Sequence, residues 1–397
     1  MSKDSSADEP NVSRMIFRVA IVSRLSVLVL IVFWRYLLSP YDTSASLNPS
    51  CLLDSTNQSS VESVLWPRVR VAVEDSIVWD SVYFVRIAQC GYEYEQTYAF
   101  LPLLPVCINV LSQTVFAPLV PLIGYRAVLG LSGYILNNVA FLFAAHYFHR
   151  LSIIILKDTK AALHASFLFC FNPASIFYSS IYSESLYALF SLGGIYHLLS
   201  SSNNIAMLLF ALSGSARSNG VLNAGYFCFR AMHQAYDAIF QRKNIILAVE
   251  VLIVGAMKWS LGAKKDCLFC MIIYKAIIED HTIRRRKQKS KEETRDSFGN
   301  LIPSGNGAYV TVKTGCTSIL VLPFILHLGF MAATAFFVMH VQVATRFLSA
   351  NPPLYWFASQ LMVSPGISKR WGYLIWAYSA AYILLGSLLF SNFYPFT

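Results

Sequence analysis

Long apolar runs occupy most of this chain, and short polar connections separate them. A helix that crosses a membrane needs about 20 predominantly apolar residues, and several of the runs reach that length. The sequence does not show the short segments of alternating polarity that are typical of a membrane β-barrel. The pattern predicts an all-α polytopic membrane protein with about eight to ten spans. These spans are drawn from apolar runs at residues 15–38, 100–120, 127–148, 161–182, 186–200, 205–230, 244–263, 267–278, 315–345 and 371–392.

The polar flanks of the first run predict its orientation. Residues 1–13 form a polar tail, Arg14 directly precedes the span, and Arg18 and Arg24 lie in its first half. Because cytosolic flanks carry an excess of Lys and Arg, this tail is predicted to be disordered and cytosolic. The polar, aromatic-rich loop at 39–99 then faces the lumen.

Two features of this loop and the run after it affect the topology. Residues 67–90 have helical spacing of apolar and polar positions, which is typical of interfacial helices that lie flat on the membrane. Simple alternation of the later spans puts the basic connection at 149–160 in the lumen, against the positive-inside rule. The run at 100–120 is bracketed by prolines, and a re-entrant path for this run removes the conflict.

Composition and charge narrow the class further. The chain has 397 residues, of which 56% are hydrophobic and 13% charged, and its net charge is +10. The cations flank apolar runs, so we expect them to set the orientation of the spans and to contact anionic lipid head groups. We expect no nucleic-acid partner. The basic stretch 281–307 is predicted to be a solvated cytosolic loop.

The first loop also carries features that depend on its compartment. Asn57 begins an N-x-S glycosylation sequon. Cys51 and Cys90 both lie in the loop and form a disulfide if it is lumenal, although spacing alone does not fix the connectivity. Cys267 and Cys270 form a C-x-x-C pair in an apolar segment, without the second pair or histidine cluster that a metal site needs.

Four polar clusters interrupt the apolar background and provide the candidate site residues. Ionisable groups near membrane depth are costly, so they mark functional sites by default. Singly, each has a structural alternative: interfacial aromatic belts, Asn-Pro kinks, or arginines that snorkel to the head groups. Together they match a site for an anionic lipid phosphate and a hydroxyl acceptor. The candidates are Trp79, Asp80, Arg86 and Glu95 in the first cluster, Asn172 and Glu184 in the second, Arg217 and Asn219 in the third, and Arg346 in the fourth.

The residue types suggest how such a site works. Asp80 suits a general base, because a partly dry environment raises the proton affinity of a carboxylate. Trp79 offers a flat apolar surface, and arginines bind phosphate oxygens bidentately. The partner of Arg217 is either Glu184 or the donor phosphate, with Asn219 as a second donor in the latter case. The sequence has no D-x-D metal motif, so we expect neither a metal nor another cofactor.

These clusters closely resemble the PIG-V family of GPI mannosyltransferases, particularly a plant member. The resemblance covers residues 14–235 and 343–397. It rests on W-D-x-V-Y-F at 79–84, G-Y-x-x-E-x-x-Y-A-F-x-P-x-x-P at 91–105, F-N-P-A-S-I-F-x-S-S-x-Y-S-E-S-L at 171–186, A-R-S-N-G at 216–220 and P-P-L-Y-W-F at 352–357.

The resemblance implies a GT-C fold, which is a bundle of transmembrane helices with a lumenal catalytic loop. It implies a multi-pass enzyme of the endoplasmic-reticulum membrane that transfers the second mannose, in α-1,6 linkage, from dolichyl-phosphate mannose to the GPI precursor glycolipid. Trp79 and Asp80 match the functional pair of the family, and a small membrane subunit is a further expected partner.

The resemblance divides the chain into a catalytic membrane module at 14–235, a divergent region at 236–342 that contains the basic loop 281–307, and a C-terminal membrane segment at 343–397. The divergent region lacks the R-Y-F/Y…Q-x-P-N-F-L-L-A segment of the family, as an altered splice form or gene model would. The alternatives are therefore an inactive splice form that acts as a complex partner, or a non-catalytic lipid transporter. A transporter is expected to show internal repeats, and none is seen.

Overall fold

The computed structural model describes residues 9–39, 41, 51, 64–240, 242–243, 245–255, 317–363 and 368–394. Within these ranges the fold is all-α, without a β-strand, which confirms the predicted class. The helices are α1 (Glu9–Leu37), α2 (Pro67–Asp75), α3 (Ser81–Cys90), α4 (Leu103–Gln113), α5 (Val120–Ile123), α6 (Tyr125–Leu156), α7 (Thr159–Cys170), α8 (Ser175–Ser179), α9 (Glu184–Leu199), α10 (Asn203–Ala216), α11 (Gly225–Phe240), α12 (Ile245–Gly255), α13 (Thr317–Val338), α14 (Val341–Leu348), α15 (Pro352–Val363) and α16 (Ser368–Ser391).

Four of the described helices, α1, α6, α13 and α16, are long and apolar enough to span a membrane. The segments Leu103–Gln113 and Ala117–Ile123 add a broken pair that is bent by 68°. The eight to ten spans predicted for the whole chain include runs that lie partly or wholly outside the described residues, and two of the runs inside them are interrupted. The run at 161–182 breaks at Asn172-Pro173, where proline cannot continue the hydrogen-bond ladder. The run at 205–230 breaks at Arg217, whose backbone is extended.

The first helix begins earlier than expected. Residues 9–13 of the predicted disordered tail are the first turns of α1. Pro10 is compatible with a helix at that position because the N–H groups of the first turn have no intrahelical acceptor. Residues 1–8 of the tail lie outside the described residues.

Contacts of α1 distinguish the two ends of the bundle. Near its start, Ser13 Oγ lies 3.3 Å from His146 Nδ1 in the second half of α6. Near its other end, Trp34 Nε1 donates to Ser387 Oγ of α16 at 3.0 Å. Because α6 runs antiparallel to α1, the basic connection at 149–160 lies at the same end as the start of α1, as the positive-inside rule requires.

The broken pair explains how the chain reaches this arrangement. Asn109 of α4 donates to the Ala88 carbonyl of α3 at 2.8 Å, and the Trp66 N–H donates to the Leu122 carbonyl at 2.8 Å. Both halves of the pair therefore contact the segment at 64–90. This favours the re-entrant path for residues 100–120.

The predicted helices at 67–90 are present as α2 and α3, but they differ in burial. In α2 no residue is buried, as expected for an interfacial helix. In contrast, α3 buries Val82, Phe84, Val85 and Ile87 against α4 and α6. The expectation that α3 lies flat on the membrane is wrong, because its apolar side chains on several faces are covered by protein.

Arg24 does not flank the membrane as the sequence suggested, but is fully enclosed at mid-span. Its guanidinium donates to the carbonyls of Cys170 and Ser175, each at 2.9 Å, and lies 3.9 Å from the centroid of Phe141. These carbonyls lie where α7 ends and α8 begins. The Cys170 carbonyl is in the last turn of α7 and so lacks a helical N–H partner. Arg24 therefore binds this carbonyl and links the end of α7 to the start of α8.

Candidate active site

Four charged side chains from distant parts of the sequence meet at the end of the bundle opposite the basic connection. Asp80 precedes α3, Glu184 begins α9, Arg217 follows α10, and Arg346 lies in the last turn of α14. Arg217 Nη1 is 2.5 Å from Glu184 Oε1, and Arg346 Nε is 2.6 Å from the same oxygen. Arg346 Nη1 is 3.6 Å from Asp80 Oδ2. We call these four residues the charged cluster.

The backbone around Asp80 is held by contacts from two other elements. Trp79 has a φ of 55°, in the left-handed region that costs a non-glycine residue about 1–2 kcal/mol. Its Nε1 donates to the Phe390 carbonyl at the end of α16 at 3.0 Å, and its ring lies 5.6 Å from that of Phe393. The Asp80 N–H donates to Tyr182 Oη at 3.2 Å. The Asp80 carboxylate makes no capping hydrogen bond to α3, and its Oδ2 lies near Arg346 instead.

Glu184 is the buried centre of the cluster. Its side chain is 1% exposed, and one of its oxygens accepts from both arginines. The other oxygen, Oε2, has no hydrogen-bond partner among the described protein groups. A buried carboxylate is stable only when opposite charges and hydrogen bonds compensate it, so the two arginines keep Glu184 ionised.

Arg346 is positioned by aromatic rings as well as by carboxylates. Its guanidinium carbon lies 4.5 Å from the centroid of Phe177 and 4.6 Å from that of Tyr182. Such cation–π contacts fix the plane of the guanidinium. Phe177 and Tyr182 were not among the predicted site residues. The signal for them was their place in the motif at 171–186, between Asn172 and Glu184.

Asp80 is the most accessible member of the cluster, with 42% of its side chain exposed, compared with 14% for Arg346. Partial burial raises the pKa of Asp80 above its ordinary value, Arg346 partly offsets this, and the negative charge of Glu184 adds to it. A carboxylate with a raised pKa that is accessible to a ligand is suited to accept a proton.

The turn after α10 places Arg217 and Asn219. The turn brings Gly220 so close to the backbone of Ser213 that a Cβ at this position would collide with it, so only glycine fits. Asn219 is 7% exposed, and neither polar atom of its amide has a hydrogen-bond partner among the described groups. Because buried amides are normally satisfied, Asn219 is available to a polar ligand.

The structure does not bring Arg86, Glu95 or Asn172 into the cluster. Arg86 Nη2 pairs with Glu93 Oε2 at 2.6 Å, and each of these side chains is 3% exposed. Glu95 is exposed in a short 3-10 helix at Glu95–Ala99. The side chain of Asn172 donates to the Phe169 carbonyl at 2.8 Å and stabilises the break between α7 and α8.

The pairing of Cys51 with Cys90 is confirmed, since their sulfurs are bonded. These two cysteines and Glu93 form a group with metal-ligand proximity, but cysteines in a disulfide offer no thiolate to an ion. Asn57, Cys267 and Cys270, and the basic loop 281–307 lie outside the described residues.

Fold and site define a polytopic membrane protein with a carboxylate–arginine site at one end of its helix bundle. The chain belongs to the PIG-V mannosyltransferase family. The family model, described as Mannosyltransferase (PIG-V), matches residues 13–302 and 283–397. Together the two matches extend across residues 236–342, the region that the sequence analysis set apart as divergent, and they overlap at 283–302.

Relatives of this chain carry related names. GPI mannosyltransferase 2 of Drosophila melanogaster is 26% identical in an alignment 401 residues long. The alignment covers 80% of this chain and 86% of the relative. GPI alpha-1,6-mannosyltransferase 2 of Mus musculus is 30% identical over 211 residues, or 53% of this chain and 41% of the relative. Among solved structures, the archaeal oligosaccharyltransferase AglB from Archaeoglobus fulgidus, in complex with an inhibitory peptide and a dolichol-phosphate, matches with a TM-score of 0.40 and 12% identity, covering 93% of this chain and 56% of that chain.

Proposed function

We propose that this mannosyltransferase adds the second mannose, in α-1,6 linkage, to the GPI precursor glycolipid, with dolichyl-phosphate mannose as the donor. Membership of the PIG-V family and the names of the relatives support this assignment. The observation that carries it is the charged cluster, in which an accessible carboxylate lies beside two arginines.

The cluster provides the groups that an inverting transfer needs. The acceptor hydroxyl gives its proton to Asp80 and attacks C1 of the mannose, while the bond from C1 to the phosphate oxygen breaks. The leaving dolichyl phosphate retains the electron pair of that bond. Arg217 and Arg346 stabilise its negative charge, and the Asn219 amide is a further donor.

In this mechanism Glu184 is a positioning residue. Its carboxylate holds both arginines at one point, so they are ordered before the donor binds. The pairing of Arg217 with Glu184 is one of the two alternatives that the sequence left open. We propose that Arg217 has both roles, because a guanidinium has five N–H donors and Glu184 Oε1 takes one.

The proposal extends to the location and partners of the enzyme. We place it in the endoplasmic-reticulum membrane with the charged cluster on the lumenal side, since the basic connection at 149–160 lies at the opposite end of the bundle. We further propose that the arginines make a divalent metal or other cofactor unnecessary, in a GT-C-like bundle that works with a small membrane subunit. Loss of a mass shift in Asn57→Gln after glycosidase treatment tests the lumenal position of the first loop.

Complementation tests the activity. A cell line that lacks the second GPI mannosyltransferase is transformed with this chain, and surface GPI-anchored protein is measured. We expect the wild type and Asp75→Asn, a change at an exposed carboxylate of α2, to restore the signal, and Asp80→Asn to fail at equal abundance.

An assay of mannose transfer in microsomes gives the magnitude. Loss of a general base is expected to lower kcat by about 10²–10⁴-fold. Wild-type rates with Asp80→Asn would remove Asp80 from the mechanism. Failure of the wild-type chain to restore the surface signal would instead favour the inactive splice form or the transporter.

A further inference from the structure

Arg24 is an enclosed cation in the middle of the span formed by α1. The residue is 2% exposed, and it forms no ion pair with any other described residue. Because a charge at membrane depth is costly, such residues mark functional positions by default. The acceptors around Arg24 show which element of the fold it holds.

The guanidinium of Arg24 binds both ends of one short helix. Its Nη1 donates to the Ser175 carbonyl at 2.9 Å and to Ser179 Oγ at 3.2 Å, and its Nη2 donates to Ser175 Oγ at 3.1 Å. Ser175 and Ser179 are the first and last residues of α8. The same Nη2 donates to the Cys170 carbonyl, so one side chain links α8 to α1 and to the end of α7.

Helix α8 depends on such contacts for its position. It has five residues and no side chain that caps its start. The break at Asn172-Pro173 separates it from α7, and the residues 180–183 separate it from α9. Because a helix of this length is not stable by itself, α8 stays in place through its neighbours, and Arg24 acts at both of its ends.

The residues in the centre of α8 contact the charged cluster and the end of α14. The ring centroid of Phe177 lies 4.5 Å from the guanidinium carbon of Arg346. Tyr178 Oη is hydrogen-bonded at 2.9 Å to the Oγ of Ser349, which directly follows α14. Helix α8 therefore contacts Arg346 through a ring and the end of its helix through a hydrogen bond.

We propose that Arg24 is a positioning residue for Arg346 and that it acts through α8. This inference rests on the proposed function, in which Arg346 stabilises the leaving phosphate and Asp80 takes the proton of the acceptor. Arg24 itself contacts Ser23, Phe141, α7 and α8, and none of the four charged residues of the cluster. Its effect on the reaction is therefore indirect.

The residue type suits this role. A guanidinium has five N–H donors in a rigid plane, so it can hold several acceptors in one fixed arrangement. The ammonium of a lysine has three donors and no fixed plane. The alternative role for Arg24 is purely structural, in which it satisfies buried oxygens and stabilises the fold. That role predicts an effect on unfolding but none on the placement of Arg346.

Hydrogen exchange of the purified full chain in detergent tests the link without requiring mannose transfer. The control for Arg24→Met is His149→Leu, which removes a buried hydrogen bond to Ser166 at the opposite end of the bundle. We expect Arg24→Met to speed the exchange of amides at 175–179 and at 341–349, because both segments open more often. The control should change neither segment. Unchanged exchange at 341–349 in Arg24→Met would overturn the proposal.

Initial rates of transfer separate positioning from stability. They are measured well below the Tm of each variant, so that all of the protein is folded. We expect Arg24→Met to lower kcat about 10²-fold, since a misplacement of about 1 Å caused by a distant change can have an effect of that size. His149→Leu should keep a rate near that of the wild type. A lowered Tm with a wild-type kcat in Arg24→Met would show a purely structural role and contradict the proposal.

The pH profile of kcat/KM gives a readout that reports on Arg346. The charged and titratable groups that face Asp80 are Arg346, Glu184, Arg217 and Tyr182. A displaced Arg346 attracts the ionised Asp80 less, so the pKa of Asp80 should rise. The acid limb of the profile should then move to higher pH in Arg24→Met and stay in place in His149→Leu. An unmoved limb in Arg24→Met would count against the proposal.

A double-mutant cycle tests the route through α8. Tyr178→Phe removes the hydrogen bond to Ser349 and leaves the Phe177 ring in place. If Arg24 and Tyr178 act on the same link, the double variant Arg24→Met with Tyr178→Phe should lose less kcat than the product of the two single losses. Losses that multiply fully would place the effect of Arg24 outside α8 and refute this route.

Two milder changes keep the test decisive should Arg24→Met fail to fold. Arg24→Lys keeps the charge without the planar fork, and Ser175→Ala with Ser179→Ala removes two hydroxyl acceptors while Arg24 remains. We expect both to change exchange at 341–349 and kcat in the same direction as Arg24→Met, and no change in either would overturn the proposal. Faster exchange at 341–349 in variants of a chain whose wild type transfers no mannose would retain the link and refute the proposed function.

Discussion

Replacing Glu184 with glutamine gives the most direct test of the charged cluster. This carboxylate is 1% exposed and pairs with Arg217 at 2.5 Å and Arg346 at 2.6 Å. In Glu184→Gln, Asp80, which is partly exposed, is the remaining acidic side chain near the two largely buried guanidinium groups among the described residues. Breaking a buried ion pair on one side costs about 3–5 kcal/mol, and we expect ~3 kcal/mol here because glutamine keeps a hydrogen-bond acceptor.

The compensating double variant separates the two roles of Arg217. Glu184→Gln with Arg217→Gln removes one charge of each sign, so we expect most of the lost free energy of unfolding to return. Donor use should stay impaired, with a raised KM for dolichyl-phosphate mannose, because the phosphate has lost a guanidinium. Thermal unfolding of the purified protein in detergent and initial rates of transfer measure these two quantities.

The surface pair of α2 provides the control. Arg70 Nε and Glu74 Oε1 are 2.9 Å apart, with side chains 34% and 24% exposed. Such i,i+4 pairs contribute about 0.3–0.5 kcal/mol, so Glu74→Gln should shift the Tm far less than Glu184→Gln. Equal shifts would refute the description of the cluster as a desolvated network. Full recovery of transfer in the double variant would refute phosphate binding by Arg217.

Two further predictions concern other arginines. Arg346→Gln removes a cation that lowers the pKa of Asp80, so this pKa should rise. Because the base must be ionised, the acid limb of the pH profile of kcat/KM should move to higher pH. An unmoved limb would argue against Asp80 as the base. Arg24→Met removes the buried guanidinium that donates to the Cys170 and Ser175 carbonyls and should cost about 1–3 kcal/mol in thermal unfolding, whereas the exposed Arg18→Met should cost almost nothing.

The cluster could be predicted because charge is rare in this chain. With 13% of residues charged, an acid or arginine beside a long apolar run is conspicuous, and Asp80, Glu184, Arg217 and Arg346 were all identified in this way. The contact of Arg217 with Glu184 was one of the two alternatives that the sequence left open, but the contacts of Arg346 were not predicted, because they depend on how α3, α9 and α14 pack. Sequence patterns specify elements, but not the pairing of elements far apart in the chain.

The same reasoning assigned Arg86 to the site, but in the structure Arg86 pairs with a carboxylate close to it in the sequence. Arg86 and Glu93 are separated by a helix end at Cys90, and the turn at Gly91 brings them together. Nothing in the composition distinguishes an arginine that pairs locally from one that pairs across the bundle. Hydropathy likewise does not register the breaks at Asn172-Pro173 and Arg217, which interrupt two of the predicted apolar runs.

The region at 236–342 can affect the charged cluster through its packing near Arg346. All four charges of the cluster lie outside residues 236–342, and so do Trp79 and the Phe390 carbonyl that holds it. Among the described elements, the divergent region reaches the cluster through α13, whose Met331 and Ala335 pack with Phe347, the neighbour of Arg346. The placement of α14 therefore depends on the packing of α13, and a change in the region affects the charged cluster to the extent that it alters this contact.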